Sequence, residues 1–303
     1  MNEVRVGSWR AWLLASRPKT LAGAAAPVMI GGSMAWKALG MTGDTFHIVP
    51  FALCLLFAIL MQIDANFIND YYDFKKGTDR EDRLGPERAC AQGWIKPGSM
   101  RRGIVWTTVL SLGVGLPLIV YGGWWMLAVA AVCVVFSFLY TTHLSYLGWG
   151  DVLVVVFFGL VPVGFTYYLL TGEYAFSVLC ASLGCGLATD CLLMVNNYRD
   201  RHEDKKSGKR TIVVRLGGRL SLRIHLWLGL SAAALAVNAM TERMPLVYAA
   251  AILPYLIMHG ITHLNMRRKD GRELNSVLGQ TAFSIILFAM GMAASFIIFR
   301  LRH

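Results

Sequence analysis

Residues 51–76 read FALCLLFAILMQIDANFINDYYDFKK, an apolar run that passes without a turn residue into Asn66, Asn69, Asp70 and Asp73 and then into Lys75 and Lys76. The stretch from 47 to 68 is close to the roughly 20 residues that a bilayer-spanning helix needs. Similar runs recur near 20–38, 103–121, 123–141, 151–171, 175–196, 220–240, 245–263 and 279–299. These windows predict an all-α polytopic membrane protein, a bundle of about nine transmembrane helices in a single domain spanning 1–303. Composition agrees, since 56% of the 303 residues are hydrophobic and only 16% are charged. The mean hydropathy of +0.52 excludes a water-soluble globule.

The formal net charge of +11 would suit a nucleic-acid partner if it lay on one soluble face. It does not, because Lys and Arg sit in short stretches between the apolar runs. With a cytoplasmic N-terminal segment, 1–19, the inner side collects 24 basic residues and the outer side only Lys37, Arg243, Arg300 and Arg302. That asymmetry predicts a multi-pass protein of the cytoplasmic (inner) membrane with its N-terminus inside. No nucleic acid partner is expected. The six cysteines form no C-x-x-C pair and read as small buried hydrophobes. Glycines within the spans, among them Gly23, Gly31, Gly113, Gly159 and Gly186, read as places of close helix approach.

Two inner loops, 66–102 and 196–219, stand apart. Nine of the chain's 18 acidic residues fall in them. Asn69-x-Tyr71-x-Asp73 aligns with Asn196-x-Tyr198-x-Asp200, a pseudo-repeated Asp-rich motif after an even number of spans. Asn196, Asp200 and Asp204 follow at i, i+4 and i+8, and so share one helical face; Asn66 with Asp70, and Asn69 with Asp73, repeat the i, i+4 spacing. A mixed-charge loop is ordinarily a solvated face, but the same spacing at two matched places argues for a site. Two facing stripes of carboxylate and amide oxygens suit a hard divalent cation, magnesium above all. Asp64 and Asp190 lie inside apolar runs just before these motifs, where a carboxylate needs a partner or a cavity. Magnesium held by carboxylates beside Arg17, Lys19, Lys209 and Arg210 fits a diphosphate ligand. No G-x-x-x-x-G-K-[ST] or strand-borne G-x-G-x-x-G is present, so the diphosphate is expected on a lipid and not on a nucleotide.

Asn69-Asp70-Tyr71-Tyr72-Asp73 with Gly77-Thr78-Asp79, Asn196-Asn197-Tyr198-Arg199-Asp200 with Gly208-Lys209-Arg210-Thr211, and Ser16-Arg17-Pro18-Lys19-Thr20 together resemble the intramembrane aromatic prenyltransferase (UbiA) superfamily. Within it they look like the branch acting on 1,4-dihydroxy-2-naphthoate in menaquinone biosynthesis. The resemblance implies metal ligands at Asn69, Asp73, Asp79, Asn196, Asp200 and Asp204, and a catalytic role for Asp70, Asp73, Asp200 and Asp204. It implies substrate contacts from Arg17, Lys19, Asn66, Tyr71, Tyr140, Lys209 and Arg210. Two departures stand out. The first motif has Gly77 where many relatives carry a third acid, which arrives at Asp79. After the fourth span the chain reads Tyr140-Thr-Thr-His143-Leu144 where many relatives have Y-x-x-x-K.

The implied reaction is magnesium-assisted ionisation of a polyprenyl diphosphate. The dihydroxynaphthoate ring then attacks through its carboxyl-bearing carbon, and carbon dioxide departs. Rival readings are a sister enzyme prenylating 4-hydroxybenzoate and, in another class, a secondary transporter with repeat symmetry.

Overall fold

The structure is a computed structural model that describes residues 4–77, 84–242 and 244–303, and among these no strand occurs. A short α1 (Trp9–Ser16) precedes α2 (Pro18–Thr42) and α3 (Ile48–Lys75). Then follow α4 (Pro97–Gly122), α5 (Met126–Leu147), α6 (Gly150–Thr171) and α7 (Phe176–Lys206). A short α8 (Ile212–Leu216) leads to α9 (Gly218–Thr241), α10 (Leu246–Arg268) and α11 (Gly271–Arg302). Among the described residues, eight helices are long and apolar enough to cross a membrane: α3 to α7 and α9 to α11.

The expected ninth span, 20–38, is indeed helical, as the 25-residue α2, but it is not one of those eight. Its buried side carries Ala24, Ala26, Gly31, Gly32, Ser33 and Ala35, small residues that let it pack closely against α3, α6 and α11. The centre of the bundle is α7, with 72% of its apolar window buried against 11% for α5. Its neighbours supply the largest core cluster, built around Ile30, Val163, Ala181, Tyr255, Phe288 and Phe296. All six cysteines are buried.

Local sequence sets the helix ends. Ser8 caps α1, its hydroxyl accepting from the Ala11 N–H at 3.2 Å. Arg17 then adopts φ +51°, a left-handed turn, and Pro18 starts α2 where a missing N–H costs nothing. Gly43 at φ +80° ends α2. Asp64 meets the need that its position creates: Thr107 and Thr108 of α4 donate to its two oxygens at 2.5 and 2.9 Å. It is a clamp between α3 and α4.

The glycines divide. A Cβ on Gly159 would meet Ser182 O at 2.3 Å and Gly186 Cα at 2.9 Å, and one on Gly31 would meet Val163 O at 2.5 Å. These are close approaches of α6 to α7 and to α2, whereas Gly23 and Gly113 have open space around them. Gly159→Val is therefore expected to destabilise by about 1–3 kcal/mol through overpacking against backbone that cannot yield. Gly113→Ala should leave thermal melting in detergent unchanged. Equal melting of the two variants would refute the packing role.

Candidate active site

A cavity of about 1400 Å³ opens between α2, α3, α5, α6, α7 and α11. One end is polar and the remainder apolar, with Val28, Phe57, Met61, Phe157, Phe165 and Phe283 on its walls. Such a shape accommodates a charged head and a hydrocarbon tail together.

The helical period decides which polar residues reach it. Asn69 and Asp73 of α3, and Asn196, Asp200 and Asp204 of α7, all line this one cavity. Arg17, Lys19, Tyr140 and Lys209 line it as well. Four other expected site residues do not. Asp70 turns about 100° away from Asn69 and is 1% exposed; its carboxylate accepts the Ala89 and Cys90 N–H groups, each at 2.8 Å. Asn66, 2% exposed, donates to Ser16 O at 2.9 Å and to Thr20 Oγ1 at 3.0 Å, fastening the α1–α2 turn. Tyr71 packs edge-on against Tyr72, with ring centres 5.2 Å apart, in a cluster with Ile68, Cys90 and Ile95. Arg210 is exposed, and its backbone N–H bonds Tyr146 O at 2.9 Å. Asp79 lies outside the described residues.

Charge at the polar end is arranged by residues that the motif spacing does not single out. The Arg199 guanidinium is 2% exposed and grips Asp200 with Nε and Nη2 at 2.7 and 2.6 Å. Nη2 also reaches Asn196 Oδ1 and Nη1 reaches Asn275 Oδ1, both at 2.8 Å. Arg88 pairs with Asp73 at 3.2 Å. Lys209 stands 3.5 Å from Asp204. Burial pulls the Lys209 ammonium down, but Asp204, Asp73, Tyr146 and Asp200 outweigh that and hold it above the usual lysine range. Lys76 moves the other way: its partial burial outweighs the attraction of Asp73 and lowers it. Both ammoniums face the Tyr146 ring, at 4.1 Å for Lys76 and 5.2 Å for Lys209. The Thr141 hydroxyl donates to Asn69 Oδ1. His143 is exposed and bonded to Thr142 Oγ1 at 2.8 Å, while Lys76 donates to Thr141 O and Thr142 O at 3.3 and 2.9 Å.

The donor set at this end is carboxylate and amide oxygen from two helices, the chemistry that hard divalent cations take. Sequence patterning misses Arg88, Arg199 and Asp151. Asp151, 7% exposed and on the cavity wall, carries the same signal as Asp64 and Asp190, an acid at an apolar run.

Comparison with known proteins identifies the family and the fold. Residues 24–288 match the model of the UbiA prenyltransferase family. The 1,4-dihydroxy-2-naphthoate octaprenyltransferase of Haemophilus influenzae is 32% identical over 301 residues, covering 93% of this chain and 95% of that protein. The enzyme of the same name from Escherichia coli is 34% identical over 234 residues, 74% of each chain. Among solved structures, a UbiA homolog from Archaeoglobus fulgidus bound to DMAPP and Mg2+ superposes with TM-score 0.63 at 17% identity, over 95% of this chain and 99% of that one. The apo UbiA homolog from Aeropyrum pernix gives TM-score 0.68 at 14% identity, over 92% and 98%.

Proposed function

The chain belongs to the UbiA prenyltransferase family, and from that membership we propose that it transfers a polyprenyl group from polyprenyl diphosphate to 1,4-dihydroxy-2-naphthoate. Diphosphate and carbon dioxide leave, and demethylmenaquinol forms. The observation that carries the reading is the meeting of both Asn/Asp stripes on one cavity whose remaining walls are apolar. The acceptor is inferred from relatives that bear this activity's name at 32% and 34% identity. Family membership sets aside secondary transport.

In this reading Asn69, Asp73, Asn196, Asp200 and Asp204 hold magnesium, whose charge would offset that of the departing diphosphate. Lys209, Arg17 and Lys19 bind the diphosphate oxygens from the cavity rim. The apolar walls hold the tail and keep water from the allylic carbon. Arg199, already bonded to Asn196 and Asp200, fixes those two side chains before substrate arrives. The 24 to 4 distribution of basic residues supports a polar end facing the cytoplasm and a location in the inner membrane.

Lys209→Met tests the diphosphate contact. A charge-assisted hydrogen bond contributes about 1.5–3 kcal/mol, so KM for the prenyl diphosphate should rise about tenfold or more while KM for the acceptor holds. An unchanged donor KM would remove Lys209 from the site. The overall reading is tested with membranes given magnesium, a polyprenyl diphosphate and carboxyl-labelled 1,4-dihydroxy-2-naphthoate or 4-hydroxybenzoate. Release of labelled carbon dioxide with a prenylated naphthoquinol is the expected result. Product from 4-hydroxybenzoate alone would move the protein to the sister activity, and no product from either would overturn the reading.

A further inference from the structure

Asp151 and Asp190 form a second acidic feature in the cavity region, apart from the two Asn/Asp stripes. Asp151 stands in the first turn of α6 and lines the cavity, although only 7% of it is exposed. Asp190 lies on α7, 3% exposed, six residues before Asn196. Neither Asp151 Oδ1 nor Asp190 Oδ1 has a hydrogen-bond partner among the described residues, and both atoms are buried. Asp64 shows what a purely structural buried acid looks like here: both of its oxygens are met by threonine hydroxyls. The first turn of α6 abuts α7 here: a Cβ on Gly150 would lie 3.3 Å from Leu193 Cδ2, on the turn of α7 that follows Asp190. Tyr140 is a neighbour in space, since a Cβ on Gly150 would lie 3.9 Å from its hydroxyl oxygen. Val154, one turn further along α6, and Phe136 and Phe157, with ring centres 5.4 Å apart, continue the same cavity wall with apolar surface.

A buried carboxyl at a cavity wall whose Oδ1 meets no donor is a place for a ligand's hydroxyl to bind. Lys or Arg at this point would instead attract the diphosphate; an acidic pair repels it and accepts a hydroxyl hydrogen. We propose that Asp151, supported by Asp190, is the subsite for a ring hydroxyl of the aromatic acceptor and the base that takes that hydroxyl's proton. The inference rests on the prenyl-transfer reading and deepens it, naming the side that recognises a phenol.

The step balances as follows. The hydroxyl proton passes to the Asp151 carboxylate, and the oxygen's electron density moves into the ring. The ring's carboxyl-bearing carbon forms a bond to C1 of the prenyl group, whose bond to diphosphate oxygen breaks with the electron pair leaving on diphosphate. The bond from that ring carbon to the carboxylate then breaks, carbon dioxide departs, and its electron pair restores the aromatic ring as an oxyanion. Asp151 returns the proton to that oxygen.

Asp151→Asn keeps size and polarity and removes the base. General-base assistance contributes about 10²–10⁴-fold, so kcat should fall at least a hundredfold, while KM for the prenyl diphosphate and the magnesium requirement stay within twofold. The deficit should narrow as pH rises and the acceptor ionises by itself, and Asp151→Glu should recover at least tenfold over Asp151→Asn. A variant within threefold of wild type, a deficit independent of pH, or a loss confined to donor KM would each overturn the proposal. If Asp151→Asn melts below the assay temperature, Asp190→Asn carries the test. Its kcat should fall at least tenfold while KM for the prenyl diphosphate stays within twofold; turnover within threefold of wild type overturns the proposal. Wild-type protein that fails to prenylate the naphthoate would overturn the underlying reading and this inference with it. Wild-type turnover with an undiminished Asp151→Asn overturns the inference alone.

Discussion

Asp200→Asn is expected to abolish measurable prenyl transfer, with turnover lowered by about a thousandfold or more. Loss of a single preorganised charge-stabilising group at a reacting centre costs about 10²–10³ in rate, and Asp200 serves twice. In the reading above it binds the metal that meets the departing diphosphate. It is also the partner of Arg199, whose guanidinium is 2% exposed and bonded to both Asp200 oxygens. Asparagine supplies one oxygen and no charge, leaving an enclosed cation poorly compensated; breaking a buried ion pair in this way costs about 3–5 kcal/mol. Activity should therefore be measured together with melting. Asp73→Asn separates the two effects, because its partner Arg88 belongs to another segment, paired at 3.2 Å. Both single variants should lose turnover, and the double variant should fall no further than the worse single one, because groups that act as one unit are not additive. Retained turnover in both would dismantle the shared metal site.

The stripes that carry this expectation were legible because polar residues are scarce in so apolar a chain and because i, i+4 spacing survives any uncertainty in helix ends. Asn69, Asp73, Asn196, Asp200 and Asp204 reach one cavity as their spacing implies. Two helices can satisfy that period without revealing which neighbouring face is also polar for structural reasons. Asn66, Asp70 and Tyr71 lie within the same motif yet serve the α1–α2 turn, the segment at 89–90 and a core cluster. The backbone partners of Asp70 and Asn66 stand 19 to 50 residues away in the chain, which no local pattern encodes. Arg199 sat in plain view inside the second motif. Its meaning depends on side-chain direction, since an arginine beside an aspartate usually turns to solvent, and here it turns inward to four acceptor atoms. Asp64 and Asp190 present one signature and two outcomes, because only the facing helix decides whether threonine hydroxyls meet both oxygens or, as at Asp190 Oδ1, no donor does. For α2 the apolar window at 20–38 marks a helix, while the small residues that pack it against its neighbours carry no hydropathy signal of their own.

Asp70 offers the sharpest separation of fold from chemistry, because it adjoins Asn69 and points elsewhere. Asp70→Ala is expected to destabilise the protein by about 2–5 kcal/mol, since it strands two buried backbone N–H groups, those of Ala89 and Cys90, each worth about 1–3 kcal/mol when left unmet. The damage should centre on the segment before α4, where Ala89, Cys90 and Ile95 pack with Ile68 and Met100. Turnover per folded molecule should fall far less than in Asp200→Asn. It need not be untouched: the same two hydrogen bonds hold the residues next to Arg88, and Arg88 is the partner of Asp73. Asp70 thus acts on the site at one remove, as a positioning residue. Asp70→Asn, which keeps one acceptor oxygen, should recover part of the lost melting temperature and most of the turnover. Melting in detergent and specific activity normalised to folded protein distinguish the cases. Full loss of turnover at an unchanged melting temperature would return Asp70 to the reacting centre and require α3 to present a different face to the cavity than the one on which the metal site depends.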